Sequence, residues 1–167
     1  NAYSNVAVKK IFKLKGRPEF NPLIIHYYNI QKVIDDVVIN DNFKKLYKKL
    51  SPGPITFILK KKKNSKIQSI ANAKLKTVAV RFPKHKIVRS ILKKLNFPLA
   101  MPSANISSNL SPVCAQDVFD EFKRKIKIVD GGQSKIGIES TVIDLTSKPK
   151  ILRPGIIGVQ KLKKILK

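Results

Sequence analysis

The chain has 167 residues, 43% of them hydrophobic, with 35 basic against 10 acidic side chains and a formal charge of +25. That length supports one domain (1–167) with a sizeable core and requires no disulfide or structural metal, and the single cysteine, Cys114, can neither bridge internally nor build a zinc site. No apolar run approaches the roughly 18 residues of a membrane span and no signal-peptide pattern opens the chain, so a soluble protein of a reducing, cytoplasmic setting is expected, attracted to polyanions in a salt-dependent way.

Ser4 caps a predicted helix whose apolar positions Ala7, Val8, Ile11, Phe12 and Leu14 recur at helical spacing until Gly16. Gly16 suits a left-handed cap, and Lys15 and Arg17 flank it, a point charge and a planar fork. Such a pair fits a polyphosphate or carboxylate better than a core, but on this segment alone the preferred reading is solvated charges at the negative end of a helix. Only five of the 35 basic residues are Arg (Arg17, Arg81, Arg89, Arg124, Arg153), leaving 35 − 5 = 30 Lys. Where Lys is used so heavily, guanidinium groups are expected where bidentate geometry matters, which singles out Arg17, Arg81 and Arg153.

Leu23 to Tyr27 reads as a buried strand with His26 near its end. Ile30 to Val38 and Asn42 to Leu50 read as helices, the second with Phe43, Leu46, Tyr47 and Leu50 on one side. Ser51-Pro52-Gly53-Pro54 breaks the pattern before a strand from Ile55 to Leu59. Lys60 to Lys63 reads as a solvated loop or, less favoured, a polyanion contact. A strand from Thr77 ends on Arg81, at the carboxyl edge where α/β sheets collect ligands. After Pro83 a helix runs from Ile87 to Leu95, and the apolar stretch Phe97 to Met101 leads into a polar loop from Pro102 to Pro112. Its hydroxyls, amides and backbone N–H groups suit phosphate, although such loops are as common in surface turns. Cys114 to Phe122 is predicted helical with Val118, Phe119 and Phe122 inward. Ile126 to Val129, Glu139 to Asp144 and Ile151 to Arg153 are predicted strands, and Val159 to Leu166 is a basic terminal helix. There is no internal repeat, linker or second domain.

No Walker-type or dinucleotide-binding glycine loop is present, metal-ligand clustering is absent, and His26 and His85 supply no legible Ser-His-Asp order. His85 is expected to cap a helix or face solvent. A histidine at the end of a buried strand, like His26, is more often a hydrogen-bonded core residue than a catalyst. What raises its interest is position: Lys15, Arg17, His26, Arg81, the Ser103 to Ser111 loop and Arg153 all fall at element ends, where one sheet could gather them in a cleft.

Lys15-x-Arg17-Pro18, Asn21-Pro22-Leu23-Ile24-x-His26, Pro52-Gly53-Pro54-Ile55-Thr56, Val78-Ala79-Val80-Arg81-x-Pro83, Pro102-Ser103-Ala104-Asn105, Ser111-Pro112, Asp130-Gly131-Gly132, Gly137 to Val142 and Leu152-Arg153-Pro154-Gly155 follow one another in an order and spacing that resemble the YrdC-type threonylcarbamoyl-adenylate synthases. The resemblance covers residues 9 to about 158. It implies an α/β fold, a twisted mixed sheet flanked by helices with a basic concave cleft. It implies a nucleotidyltransferase in which L-threonine and bicarbonate form a carbamate that ATP adenylylates with release of pyrophosphate, the product serving tRNA threonylcarbamoyladenosine modification through a downstream tRNA threonylcarbamoyl transferase. By the same resemblance Lys15, Arg17, Asn21, Thr77, Met101, Ser103, Asn105, Ser111 and Arg153 bind ATP, and His26, Arg81 and Ser140 bind threonine, with no catalytic side chain of its own kind. Mg2+ would enter with the ATP phosphates rather than in a protein cage.

In that family a Pro-Thr-Glu-Thr-x-Tyr-Gly-Leu segment precedes the first helix, and Asn1-Ala2 corresponds to its end. The chain is therefore expected to be an N-terminally incomplete member, with activity belonging to the intact protein. The competing expectation, from the charge, is a non-catalytic module for tRNA or double-stranded RNA.

Overall fold

The computed structural model describes residues 1–134 and 137–167. Among the described residues five α-helices, α1 (Asn5–Lys15), α2 (Asp41–Leu50), α3 (Lys86–Lys94), α4 (Ala115–Phe122) and α5 (Val159–Leu166), accompany six strands. The strands are β1 (Ile24–His26), β2 (Ile55–Lys60), β3 (Thr77–Arg81), β4 (Leu99–Ala100), β5 (Thr141–Asp144) and β6 (Lys150–Arg153), and they form one mixed sheet in the order β4-β1-β3-β2-β5-β6. No helix among the described residues is long and apolar enough to cross a membrane.

Alternation along the strands gives the sheet two different faces. Register pairs Ile25 with Val80, Val80 with Phe57 and Phe57 with Ile143, and all four are buried. Against this face lie Val8 and Phe12 of α1, Phe43, Leu46 and Leu50 of α2 and Leu162 of α5, in one apolar cluster. Phe43 meets Phe57 edge to face at 5.1 Å, and Tyr47 meets Phe82 likewise at 4.8 Å. By contrast α3 and α4 bury one residue each, Leu92 and Phe122. The opposite face of the sheet is left open as a cleft.

Helix α1 begins and ends as its sequence dictates. Ser4 Oγ accepts from the Ala7 N–H at 3.3 Å, and Gly16 takes the left-handed cap at φ 56°. That cap turns the chain so that Arg17 N–H reaches back to the Phe12 carbonyl at 3.0 Å.

Three expectations fail, each for a long-range reason. Ile30 to Val38 is not an α-helix: only Ile30–Lys32 forms a 3₁₀ turn, capped by Asn29, and Val37 then bridges Lys61. Asp36 in this stretch is buried and accepts from Tyr3 Oη at 2.6 Å, Tyr27 Oη at 2.8 Å and Ser65 Oγ at 2.6 Å. Serving three hydroxyls from three segments, with Val33 and Val37 dropped into the core, overrides the helical spacing. Ile126 to Val129 keeps a strand's alternation, but no strand pairs with it among the described residues and Val129 is 68% exposed. In α4 only Phe122 is buried, while Phe119 is 44% exposed, because the helix packs on the polar loop through Glu121 instead of on the sheet.

Candidate functional site

The cross-strand register assembles the cleft floor. His26 pairs with Arg81, Arg81 with Thr56, Thr56 with Val142 and Val142 with Arg153, so five residues from five adjacent strands stand in one row. All five line a cleft of about 800 Å³. Around this floor stand Arg17, Asn21 and Pro22, the residues Met101, Pro102, Ser103, Ser111, Pro112 and Val113, the residues Ser134 and Gly137 to Ser140, and His85 and Val88 at the α3 end, with the Ser134 N–H donating to the Val113 carbonyl at 2.6 Å. Among the described lining residues stand three of the five arginines, none of the 30 lysines, and one carboxylate, Glu139. The three arginines singled out in the sequence, Arg17, Arg81 and Arg153, all line the cleft.

Arg17 is set by its own turn. Its Nε donates to the Asn21 carbonyl at 3.0 Å and one terminal N–H group reaches Asn21 Oδ1 at 2.7 Å and the Pro22 carbonyl at 3.0 Å. Burial lowers its pKa. Arg81 is largely enclosed, and its Nε–H has no acceptor among the described residues. Burial, then the charge of Arg153, lowers its pKa, so an anion brought to it would relieve both penalties.

Arg153 is more fully engaged. It donates to the Ser140 carbonyl at 3.2 and 3.0 Å, to Ser140 Oγ at 3.1 Å, and to the Glu139 carboxylate. Gly155 permits this closeness: a Cβ there would lie 2.5 Å from the Thr141 nitrogen and 2.6 Å from the Glu139 carbonyl oxygen. His26 donates from Nδ1 to the Ile24 carbonyl at 3.1 Å. Burial first, then the Arg81 charge, pushes its pKa down to about 3, so the ring is neutral.

Three of the expected site residues do not line the cleft. Lys15 is buried, and its Nζ donates to the Ser103 carbonyl at 2.7 Å, to the Asn105 carbonyl, and to Asn105 Oδ1 at 3.3 Å. It braces the polar loop from behind, and burial followed by the neighbouring Arg17 charge lowers its pKa while Glu121 opposes this. Asn105 is buried in that loop, donating to the Asn109 carbonyl at 2.6 Å. Thr77 sits at the far end of β3, where its carbonyl accepts from Asn72 Nδ2 at 2.9 Å.

Two residues escaped sequence reasoning. Thr56 is fully buried and shares a 2.8 Å hydroxyl contact with Ser140; the available signal was a hydroxyl in an apolar strand, on the parity opposite to Ile55 and Phe57. Glu121 accepts from Ile106 N–H and Asn109 Nδ2, both at 2.7 Å, and so pins the polar loop to α4. Nothing local in the sequence marks it. His85 begins α3 without a side-chain cap, its Nε2 lying 3.0 Å from the Gly131 carbonyl.

The family model for Sua5, YciO and YrdC proteins, described as telomere recombination, matches residues 1–155. The chain belongs to the Sua5/YciO/YrdC family. Within that family, the threonylcarbamoyl-AMP synthase of Pyrococcus abyssi (strain GE5 / Orsay) is 41% identical over 169 residues, which are 99% of this chain and 49% of that protein. The threonylcarbamoyl-AMP synthase of Bacillus subtilis (strain 168) is 38% identical over 170 residues, again 99% and 49%. A crystal structure of P. abyssi Sua5 complexed with L-threonine superposes with a TM-score of 0.94 at 42% identity, covering 99% of this chain and 49% of that one. This Sua5/YciO/YrdC chain spans about half the length of the curated relatives it matches.

Proposed function

We propose that this chain provides the active-site domain of an L-threonylcarbamoyladenylate synthase. The observation that carries the reading is the row His26–Arg81–Thr56–Val142–Arg153 across the cleft floor, flanked by a polar loop and by Arg17. It is supported by the names of the relatives at 41% and 38% identity.

In this reading threonine lies over His26, Arg81 and Ser140, its carboxylate meeting the unpartnered Arg81 Nε–H. ATP lies along Asn21, Met101, Ser103 and Ser111, with Arg17 and Arg153 on its phosphates. Lys15 and Asn105 hold the loop that carries Ser103, and Thr77 contributes through the strand it begins. The threonine amine and bicarbonate give a carbamate and water. A carbamate oxygen then attacks the α-phosphorus, forming the mixed anhydride as the bond to pyrophosphate breaks. Such a step needs alignment of two anions and cationic relief of developing charge, which three guanidinium groups supply; it needs no nucleophilic side chain.

Glu139, the one carboxylate among the described lining residues, is already tied to Arg153, and no group of three metal-ligating side chains occurs among the described residues. That set does not fit a resident divalent ion, and Mg2+ enters this reading as part of the ATP substrate. The product would pass, in the cytoplasm, to a transferase acting on tRNA. Pyrophosphate release by the intact protein that requires ATP, threonine and bicarbonate together is the expected result; release indifferent to threonine would refute the reading.

The charge of +25 favours a second reading, tRNA or double-stranded RNA on the exposed lysines. Titration separates the two: RNA affinity should fall steeply with salt, whereas ATP binding should persist where RNA affinity has collapsed.

A further inference from the structure

We infer that Thr56 is a positioning residue for the amino-acid substrate: its hydroxyl fixes that of Ser140 so that the pair presents one O–H proton to an acceptor oxygen of the bound threonine. The inference rests on the proposed placement of threonine at His26, Arg81 and Ser140.

A hydroxyl has one proton and two lone pairs. Ser140 Oγ accepts from Arg153 at 3.1 Å and lies 2.8 Å from Thr56 Oγ1. The two hydroxyls therefore hold two protons and share one bond. If Thr56 donates, both lone pairs of Ser140 are filled and the Ser140 proton is left over; if Ser140 donates, the Thr56 proton is left over. No acceptor among the described residues takes that remaining proton. Both residues border the cleft, Thr56 at 0% and Ser140 at 2% exposure, so Thr56 lies behind Ser140 and the pair meets the cleft through Ser140, where little water reaches it. An unsatisfied donor in such a place calls for a ligand oxygen.

A second observation points the same way. Arg81, the partner of Thr56 in the β2–β3 ladder, carries a buried Nε–H without an acceptor. Two donors on neighbouring strands, both lacking acceptors, suit the carboxylate or hydroxyl oxygen of a small amino acid rather than its ammonium group. Charge transfer along the bond from Arg153 through Ser140 strengthens the pair as a donor. Arg153 itself stays anchored through the Ser140 carbonyl and Glu139, so altering Thr56 should leave the nucleotide side in place.

The test uses the intact protein and calorimetric titration with L-threonine in the presence of a non-hydrolysable ATP analogue. Thr56→Val keeps the branched shape and removes the hydroxyl. It should weaken threonine binding about tenfold, the loss of one hydrogen bond, while the analogue's own affinity moves less than about twofold. Thr56→Ser should restore threonine affinity to within about threefold of the parent, and on a Ser140→Ala background Thr56→Val should cause no further loss. If the valine variant fails to fold, Thr56→Ala takes its place in the same comparison. Threonine affinity unmoved by Thr56→Val, a serine variant as impaired as the valine one, or additive losses in the double variant would each overturn the inference. A parent protein that binds threonine but is indifferent to Thr56 refutes this inference alone; a parent that binds no threonine refutes the proposed function with it.

Discussion

Lys15 buries its ammonium group against the carbonyl of Ser103, 2.7 Å away and 88 residues further along the chain. The same Nζ bonds the carbonyl and the side-chain oxygen of Asn105, and the Lys15 carbonyl in turn accepts from the Ser107 N–H at 2.8 Å. Helix α1 and the polar loop are thus fastened at two points, one of them a charge with no carboxylate in contact.

Lys15→Met tests that fastening, because it keeps the apolar stem and removes the donors. Relief of the buried charge offsets part of the loss, but the two buried Asn105 oxygens and the part-buried Ser103 carbonyl then lack this donor, and a net destabilisation of about 1–3 kcal/mol is expected. Urea unfolding measures it. Amide exchange across residues 103–109 should accelerate in the same variant. Unchanged exchange in that loop would show that Lys15 does not hold it.

Arg17→Ala and Ser103→Ala should behave oppositely to Lys15→Met. Arg17 donates to turn oxygens that water can reach once it is gone, and Ser103 is exposed, so each substitution should cost under about 1 kcal/mol of stability. With Arg17 placed on the ATP phosphates as proposed, loss of that charge-assisted contact predicts about tenfold weaker ATP binding for Arg17→Ala. Arg17→Lys should recover only part of it, since an ammonium lacks the fork. A large fall in melting temperature for either alanine variant would return the residue to a structural role.

The pH dependence follows from His26. In the folded chain its pKa is pushed down to about 3 from an ordinary 6.5, so between these values the unfolded chain binds a proton that the folded chain does not. Stability from this group is complete above pH 6.5 and is lost as pH falls toward 3, at up to about 1.4 kcal/mol per pH unit. Compared with His26→Gln, the parent should lose about 2 kcal/mol more between pH 6.5 and pH 5, read from denaturant unfolding at each pH. Parallel pH profiles for the two proteins would contradict the burial of a neutral ring.

Much of this fold is legible in the sequence because its main signals are local. Ser4 and Gly16 bound α1, the period of Phe43, Leu46 and Leu50 marks α2, short apolar runs mark β2 and β3, and alternation marks β5. The cleft position of Arg17, Arg81 and Arg153 is also approachable from composition, since arginine is scarce in a chain this rich in lysine. What stays hidden is whatever depends on a distant partner. Asp36 is unreadable without Tyr3, Tyr27 and Ser65, which reshape Ile30 to Val38. Lys15 looks like a free cation until Asn105 folds over it, and Thr56 looks like an ordinary strand residue until β5 brings Ser140 beside it.

Gly155 offers a test of how tightly β6 must approach β5 for the site to exist. A methyl group added there would meet backbone atoms of Thr141 and Glu139 at 2.5 and 2.6 Å, distances no rotamer change can relieve. Gly155→Ala should therefore push the Arg153–Gly155 segment away from Ser140, at a cost of about 1–3 kcal/mol for the forced backbone shift. The local consequence is more specific than the global one. The bonds from Arg153 to Ser140 would lengthen while the apolar face formed by Phe57, Ile143 and Phe43 stays packed, because that cluster lies on the other side of the sheet. Binding of both ATP and threonine should fall by more than tenfold in a protein that still unfolds cooperatively, the size of effect expected when a charge-assisted contact and its neighbour are displaced together. Unfolding and ligand titration on the same sample check both halves. A variant with parental affinities would mean that the close approach of these two strands is not what sets Arg153.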